Sequence, residues 1–282
     1  MSLITVREHP VPDKAVALTF DDSPDVKVTP KIMDTLEENN ARATWFVQGM
    51  RGRGVPKLLR SIQSRGHDLA TQSFDPVDLT HLSKSQVMDQ IGRTKTIIED
   101  AAGAVSPHFR PPFGTYNDTV LNIARELGYK ANILWSIDPR DLHASVNQII
   151  TRTLSSLKPG AIVLFHEINE KTRQALPEIL EGMKQRGYQA LPLGQLLALQ
   201  PSVALTGRVL ALIAPALYGD DVRMVQQALH GAGVSACPID GVFGRETAAA
   251  VRRFQELNGL LPTGNVGPDT YAALGIPIPN LQ

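Results

Sequence analysis

The residues best suited to chemistry are two adjacent carboxylates (Asp21, Asp22), an arginine in a proline-rich turn (Arg110), a second pair of acids (Asp138, Asp141) and a histidine (His166). Together they are the equipment for water attack on a carbonyl. One carboxylate can bind a metal, the other can take a proton from the water, and the imidazole can donate a proton to the leaving group. An arginine buried beside the base would hold its carboxylate in place and keep its pKa low. An acid beside the histidine would raise its pKa, so that it stays protonated near neutrality. Asp21 and Asp22 repel, and both stay charged only with a cation or a network of donors beside them. Each residue also has a plainer reading: the Asp pair as a turn or helix cap after a strand, Arg110 as a salt-bridge residue, and His166 as a structural hydrogen-bond partner.

The elements that must position these groups alternate regularly. Residues 16–20 are a short apolar run, β-branched and aromatic in part, and read as a buried strand with Asp21 and Asp22 at its carboxyl end. A helix follows over 29–39, with Thr29 at its N-cap and Pro30 in its first turn. Further strands are predicted at 43–47, 67–71, 109–114, 131–137, 161–165 and 188–191. Helices are predicted at 55–65, 83–102, 117–127, 146–157 and 173–186, several of them stopped by glycine. Such alternation implies parallel strands with right-handed crossovers. The polar punctuation falls at strand ends, which a closed or nearly closed barrel would gather at one rim. The expected fold is therefore α/β, an irregular (β/α) barrel of about seven parallel strands.

Equal numbers of Lys+Arg and Asp+Glu, 28 each, leave no basic field that would suggest nucleic acid. The single cysteine, Cys237, excludes an intrachain disulfide. The most apolar later stretch, 203–217, contains Arg208 and Pro215 and is too short and broken to span a bilayer. The first residues lack a basic region and a long apolar stretch, so they do not read as a signal peptide. A cell-envelope or extracellular location would require a leader already removed; otherwise the cytoplasm is the expectation.

Beyond a Pro- and Gly-containing linker at 200–217 the texture changes to a small all-α domain of three helices over 218–282. One helix opens at Asp220, a second spans the stretch after Gly244, and a third follows Gly267. The pattern Gly-x-x-Gly-x-x-Thr-x-Ala-Ala occurs twice, from Gly241 and from Gly264. In each copy the threonine falls in the first helical turn, where it can bond a free amide.

Taken in order, the motifs of residues 14–199 resemble the polysaccharide deacetylase family (NodB-homology, family 4 carbohydrate esterases). They are Thr19-Phe20-Asp21-Asp22-Ser23-Pro24, with Ser23 where glycine is usual, then Arg110-Pro111-Pro112-Phe113-Gly114, Trp135-Ser136-Ile137-Asp138-Pro139-Arg140-Asp141 and Leu164-Phe165-His166-Glu167. The resemblance implies that Asp21 is the general base, oriented by Arg110, and that His166 is the general acid, tuned by Asp141. It further implies that Leu164 lines an acetyl pocket, with Pro111, Phe113 and Trp135 as further substrate-binding residues. The implied reaction removes an N-acetyl group from an amino sugar with a divalent metal, usually zinc, of which Asp22 is a ligand. Residues 218–276 resemble the peptidoglycan-binding domain of cell-wall hydrolases, through Val225-Gln226-x-x-Leu229, Asp240-Gly241-x-Phe243-Gly244 and Ala250-Val251-x-x-Phe254-Gln255. The implied partner is peptidoglycan or a chitin-like glycan.

The chain departs from the family at its second motif, His-Ser/Thr-x-x-His-Pro, whose two histidines complete the metal site. Gln72 and Pro76 stand at those positions. A one-residue shift would bring Asp75 into play, so that Asp22, Gln72 and Asp75 make an oxygen-only site suited to magnesium, calcium or manganese rather than zinc. His67 is expected in a surface turn. Leu142 stands where tryptophan normally follows the fourth-motif acid, which alters the acetyl-binding wall. Three readings follow: a deacetylase with an unusual metal site, a metal-independent hydrolase of another C–N bond, or a catalytically degenerate cell-wall glycan-binding protein.

Overall fold

The computed structural model describes residues 3–199, 219–234 and 238–276. Cys237, the expected linker and the apolar stretch 203–217 lie outside the described residues. The chain divides into two compact units, Met1–Ser202 and Val203–Gln282.

The first unit is an eight-stranded parallel sheet wrapped by helices. Its strands are β1 (Ile4–Val6), β2 (Ala15–Ser23), β3 (Thr44–Val47), β4 (Asp68–Thr71), β5 (His108–Phe109), β6 (Ala131–Ile133), β7 (Ile162–His166) and β8 (Gln189–Ala190). The order is β1-β6-β5-β4-β3-β2-β7, with β8 paired to the start of β2. Residues 134–137 leave the β6 ladder and cross toward β7. The Leu134 N–H bonds Val6 O, the Ser136 and Ile137 N–H groups bond Ile162 O, and a parallel bridge joins Ile137 to Val163. The sheet thereby curls into a nearly closed barrel, and the carboxyl ends of its strands share one rim.

Seven of these strands follow the predicted alternation, and β1 is an addition to it. Two strands are much shorter than expected. β5 stops at Phe109 because Pro111 and Pro112 have no N–H to give a ladder, and β6 stops where residues 134–137 change partner. The outer layer consists of α1 (Thr29–Glu38), α2 (Gly49–Gly52), α3 (Pro56–Ser64), α4 (Lys84–Ala102), α5 (Asp118–Glu126), α6 (Val146–Ser156), α7 (Glu170–Gln185) and α8 (Leu193–Ala198). The short α2 and α8 carry too few residues to show a helical stripe. Ser83 and Ser145 each close a capping box with a glutamine three residues on, which fixes where α4 and α6 begin. Thr29 does not cap α1. The Thr29 hydroxyl accepts the Asp25 N–H and donates to Glu167 instead.

The second unit contains α9 (Asp220–Gly231), α10 (Arg245–Leu257) and α11 (Pro268–Leu274), packed around Val222, Val225, Leu229, Phe243, Val251, Phe254 and Tyr271. The sequence repeat is a structural one. Gln226 of α9 accepts the Gly241 N–H at 2.8 Å and donates to Val242 O and Thr247 Oγ1. Gln255 of α10 accepts the Gly264 N–H at 2.8 Å and donates to Asn265 O and Thr270 Oγ1. The repeated threonines therefore meet a buried glutamine side chain, not the backbone amide expected of them.

Candidate active site

Asp21 and His166 face each other on neighbouring strands. β2 and β7 run parallel, with Asp21 opposite His166 and Thr19 opposite Leu164. Because side chains alternate along a strand, Leu164 lies on the same face as His166, and Thr19 on the same face as Asp21. Leu164 is buried two residues before His166.

Arg110 leaves the end of β5 and reaches across the barrel interior with no exposed surface. Its Nη1 donates to Asp21 Oδ1 at 2.6 Å and to Thr19 Oγ1 at 2.9 Å, while Nε and Nη2 bond the carbonyls of Ile133 and Leu134. The guanidinium carbon lies 3.9 Å from the centre of the Phe46 ring. A charge this deep persists because its donors are matched and its partner is charged. Burial pushes the Asp21 carboxyl above the ordinary carboxylate value, and Arg110 pulls it part of the way back. The expected lowering by Arg110 is thus outweighed by desolvation, and the outcome suits a group that must accept a proton.

His166 is held by Asp141, which is fully buried. The ring Nδ1 lies 2.8 Å from Asp141 Oδ1, and the His166 N–H donates to Oδ2 at 2.7 Å. Thr172 donates to the same Oδ2 at 2.6 Å, and the Asn169 amide donates to the Asp141 backbone carbonyl. Burial alone would lower the His166 pKa, but the Asp141 hydrogen bond and charge, helped by Asp21 and Asp22, raise it overall. With Nδ1 engaged, Nε2 is the atom left to meet a ligand. Asp138 is not part of this pair; it accepts the Arg140 N–H in a local turn.

The turn after β5 carries Pro111 and Phe113. Phe113 is held at φ 60° and is 69% exposed, while Pro111 is buried beneath it. Gly114 is required here: at φ 68°, a Cβ would lie 2.8 Å from the Trp135 ring. Leu142 is exposed on the loop that carries Asp141.

The other half of the rim departs from expectation. Asp22 is partly exposed at φ 59°, and its Oδ1 accepts from Gln48 Nε2 at 2.5 Å and from Gln72 Nε2 at 3.4 Å. Gln48 follows β3 and Gln72 follows β4. Asp75 does not join them, because its carboxylate accepts from Gln90 of α4 and its N–H donates back to the same amide. The expected oxygen set of Asp22, Gln72 and Asp75 is therefore not assembled. Among the described residues no three His, Cys, Asp or Glu side chains gather as a cation site. Phe74 does not plug the rim, since its ring packs against Arg93 at 3.6 Å and against Gly49.

His67 is not on the surface. It is 3% exposed, its Nδ1 accepts the Ala43 N–H, its ring packs edge-on against Trp45, and burial lowers its pKa to about 4. Two residues at the rim escaped sequence reasoning. Gln48 follows an apolar strand with no motif around it. Glu167 is adjacent to His166 yet is turned inward. It is fully buried, accepts from Thr29 and from the Asp25 N–H, and burial raises its pKa to about 8.

A parallel barrel with an arginine-held aspartate opposite an aspartate-held histidine defines a hydrolase-type architecture. The polysaccharide deacetylase profile matches residues 8–132, and a putative peptidoglycan binding domain profile matches residues 218–274. A chitooligosaccharide deacetylase from Bradyrhizobium is 31% identical over 199 residues, covering 65% of this chain and 90% of that protein. A peptidoglycan-N-acetylglucosamine deacetylase from Listeria monocytogenes is 36% identical over 185 residues, covering 65% of this chain and 39% of that protein. The chain thus spans well under half the length of that relative. A CE4 family pseudoenzyme from Bacillus anthracis superimposes with a TM-score of 0.65 at 25% identity, covering 70% of each chain. The chain belongs to the polysaccharide deacetylase family.

Proposed function

We propose that this protein is a hydrolase that removes N-acetyl groups from amino sugars of peptidoglycan or a related chitin-like glycan at the cell envelope. The reading is carried by one observation, the register that sets Asp21, held by Arg110, opposite His166, held by Asp141. Asp21 takes a proton from water as the water oxygen bonds the acetamide carbon. The C–N bond then breaks as His166 Nε2 gives its proton to the departing nitrogen, releasing acetate and a free amine. Arg110 orients Asp21, and Asp141 orients and charges His166. Leu164, Pro111, Phe113 and Trp135 form the acyl and sugar walls. A metal in the relatives' manner would polarise the amide carbonyl, but the donors around Asp22 do not fit one, and no step here uses it.

Residues 1–199 are the hydrolytic domain, 200–217 the linker and 218–282 a wall-binding domain in this reading. A tethered binder raises the local concentration of glycan at the barrel. Acetate release from N-acetylated chitin oligomers and from muropeptides tests the proposal. Release by the wild type that Asp21→Asn abolishes is the expected result, and release unchanged in that variant would remove Asp21 as the base. The second reading, a glycan-binding barrel without turnover, is favoured by the amide environment of Asp22 and by likeness to a pseudoenzyme. It predicts glycan binding with no acetate release.

A further inference from the structure

Three adjacent strand ends meet at one oxygen. Asp22 Oδ1, at the end of β2, accepts from Gln48 beyond β3 and from Gln72 beyond β4. Both glutamines are 3% exposed. Gln72 Oε1 is buried with no partner among the described residues, so the contact with Asp22 orients that amide. Each amide thus turns a hydrogen, the positive end of its dipole, toward the carboxylate.

That arrangement is the reverse of a metal site. A cation at Asp22 would meet two N–H groups pointing at it. Recruiting either glutamine as an oxygen ligand would require rotating a buried amide and breaking its bond to Asp22. The nearby alternatives are closed. Pro76 has no donor, and the Asp75 carboxylate accepts from Gln90. A zinc ion calls for imidazole or thiolate, and a magnesium or calcium ion for several oxygens. A carboxylate that accepts one short and one longer side-chain N–H contact already has part of what an adjacent cation would give it, namely positive potential and a fixed position.

We propose that Gln48 and Gln72 form an amide clamp that takes the place of the cation, holding Asp22 beside Asp21, and that the site binds no divalent ion in its working state. Gln48 and Gln72 are positioning residues acting through Asp22. The clamp also sustains a backbone conformation, φ 59°, that non-glycine residues seldom adopt. The inference concerns the pocket of the proposed hydrolysis, but its readout does not need turnover, so the two can fail separately.

The test is calorimetric titration of the full chain, stripped of metal, with zinc, manganese and magnesium. The clamp predicts no binding that depends on Asp22: wild type and Asp22→Asn give the same isotherms. It also predicts that Gln72→His combined with Pro76→His, which removes one arm and supplies two imidazoles, gains a stoichiometric zinc site that a further Asp22→Asn weakens. One-to-one binding by the wild type that Asp22→Asn removes would overturn the proposal. So would a double variant that melts like wild type yet gains no zinc. If the double variant does not fold, the wild-type and Asp22→Asn titrations decide alone.

Discussion

The two halves of the barrel rim solve the same electrostatic problem differently. On the β2–β5–β7 side, two buried acids are matched to charged partners within the chain: Asp21 to Arg110, and Asp141 to His166. On the β3–β4 side the acid, Asp22, faces neutral amides. The first half suits the proposed proton transfer, since its pairs include a raised carboxylate and a raised imidazole. The second is built to keep one carboxylate still. The comparison teaches that the Asp21–Arg110 and Asp141–His166 pairs can form beside an acid held by amides, because the hydrogen-bond partners of the two halves are separate and Asp22 reaches Asp21 and His166 only through its charge.

The largest effect should come from breaking the charged half. Arg110→Met leaves Asp21 buried without its partner and is expected to cost about 3 to 5 kcal/mol of stability, read by denaturant unfolding. A loss well under 1 kcal/mol would mean that the pair contributes little to the fold. Asp141→Asn should lower the rate of acetate release by about a hundredfold or more. It should also move the basic limb of the pH–rate profile to lower pH, since burial would then dominate at His166. In the wild type both limbs should lie above the ordinary values for carboxylate and imidazole, because the proposed reaction needs Asp21 deprotonated and His166 protonated.

The smallest effect on acetate release concerns Glu167, beside the pair but outside the chemistry. Its folded pKa of about 8 exceeds the unfolded value of 4.5, so the folded state holds the extra proton. That contribution to stability is complete below pH 4.5 and is lost as pH rises toward 8. Glu167→Gln should flatten this loss and leave the protein more stable at pH 9, by at most about 5 kcal/mol, measured as unfolding free energy against pH. An unchanged pH dependence would contradict the burial of a protonated acid there.

Much of the charged half was legible in the chain. Asp21, Arg110, Asp141 and His166 each follow an apolar run or sit in a turn that ends one, and strand–helix alternation sends strand ends to one rim. The amide half was harder to read. Gln48 belongs to no periodic pattern, and its partner lies 26 residues away. Gln72 is expected from the sequence as an oxygen ligand, whereas its nitrogen faces Asp22. His67 and Thr29 were misplaced because local preference for turns and caps was overridden by tertiary partners, Ala43 and Trp45 for one and Glu167 for the other. In the second unit the glycine–threonine echo was visible and Gln226 and Gln255 stood in the motifs, but their bonds to the threonines were not legible, since a buried glutamine resembles any other polar residue in a helical stripe.

The proposed hydrolytic pair works without a cation. Acetate release from N-acetylated glycan oligomers by the full chain in excess chelator, with and without added zinc or manganese, tests this most directly. The predicted result is release at the same rate in every condition, lost in Asp21→Asn. Release that appears only on adding metal, and that Asp22→Asn abolishes, would contradict it.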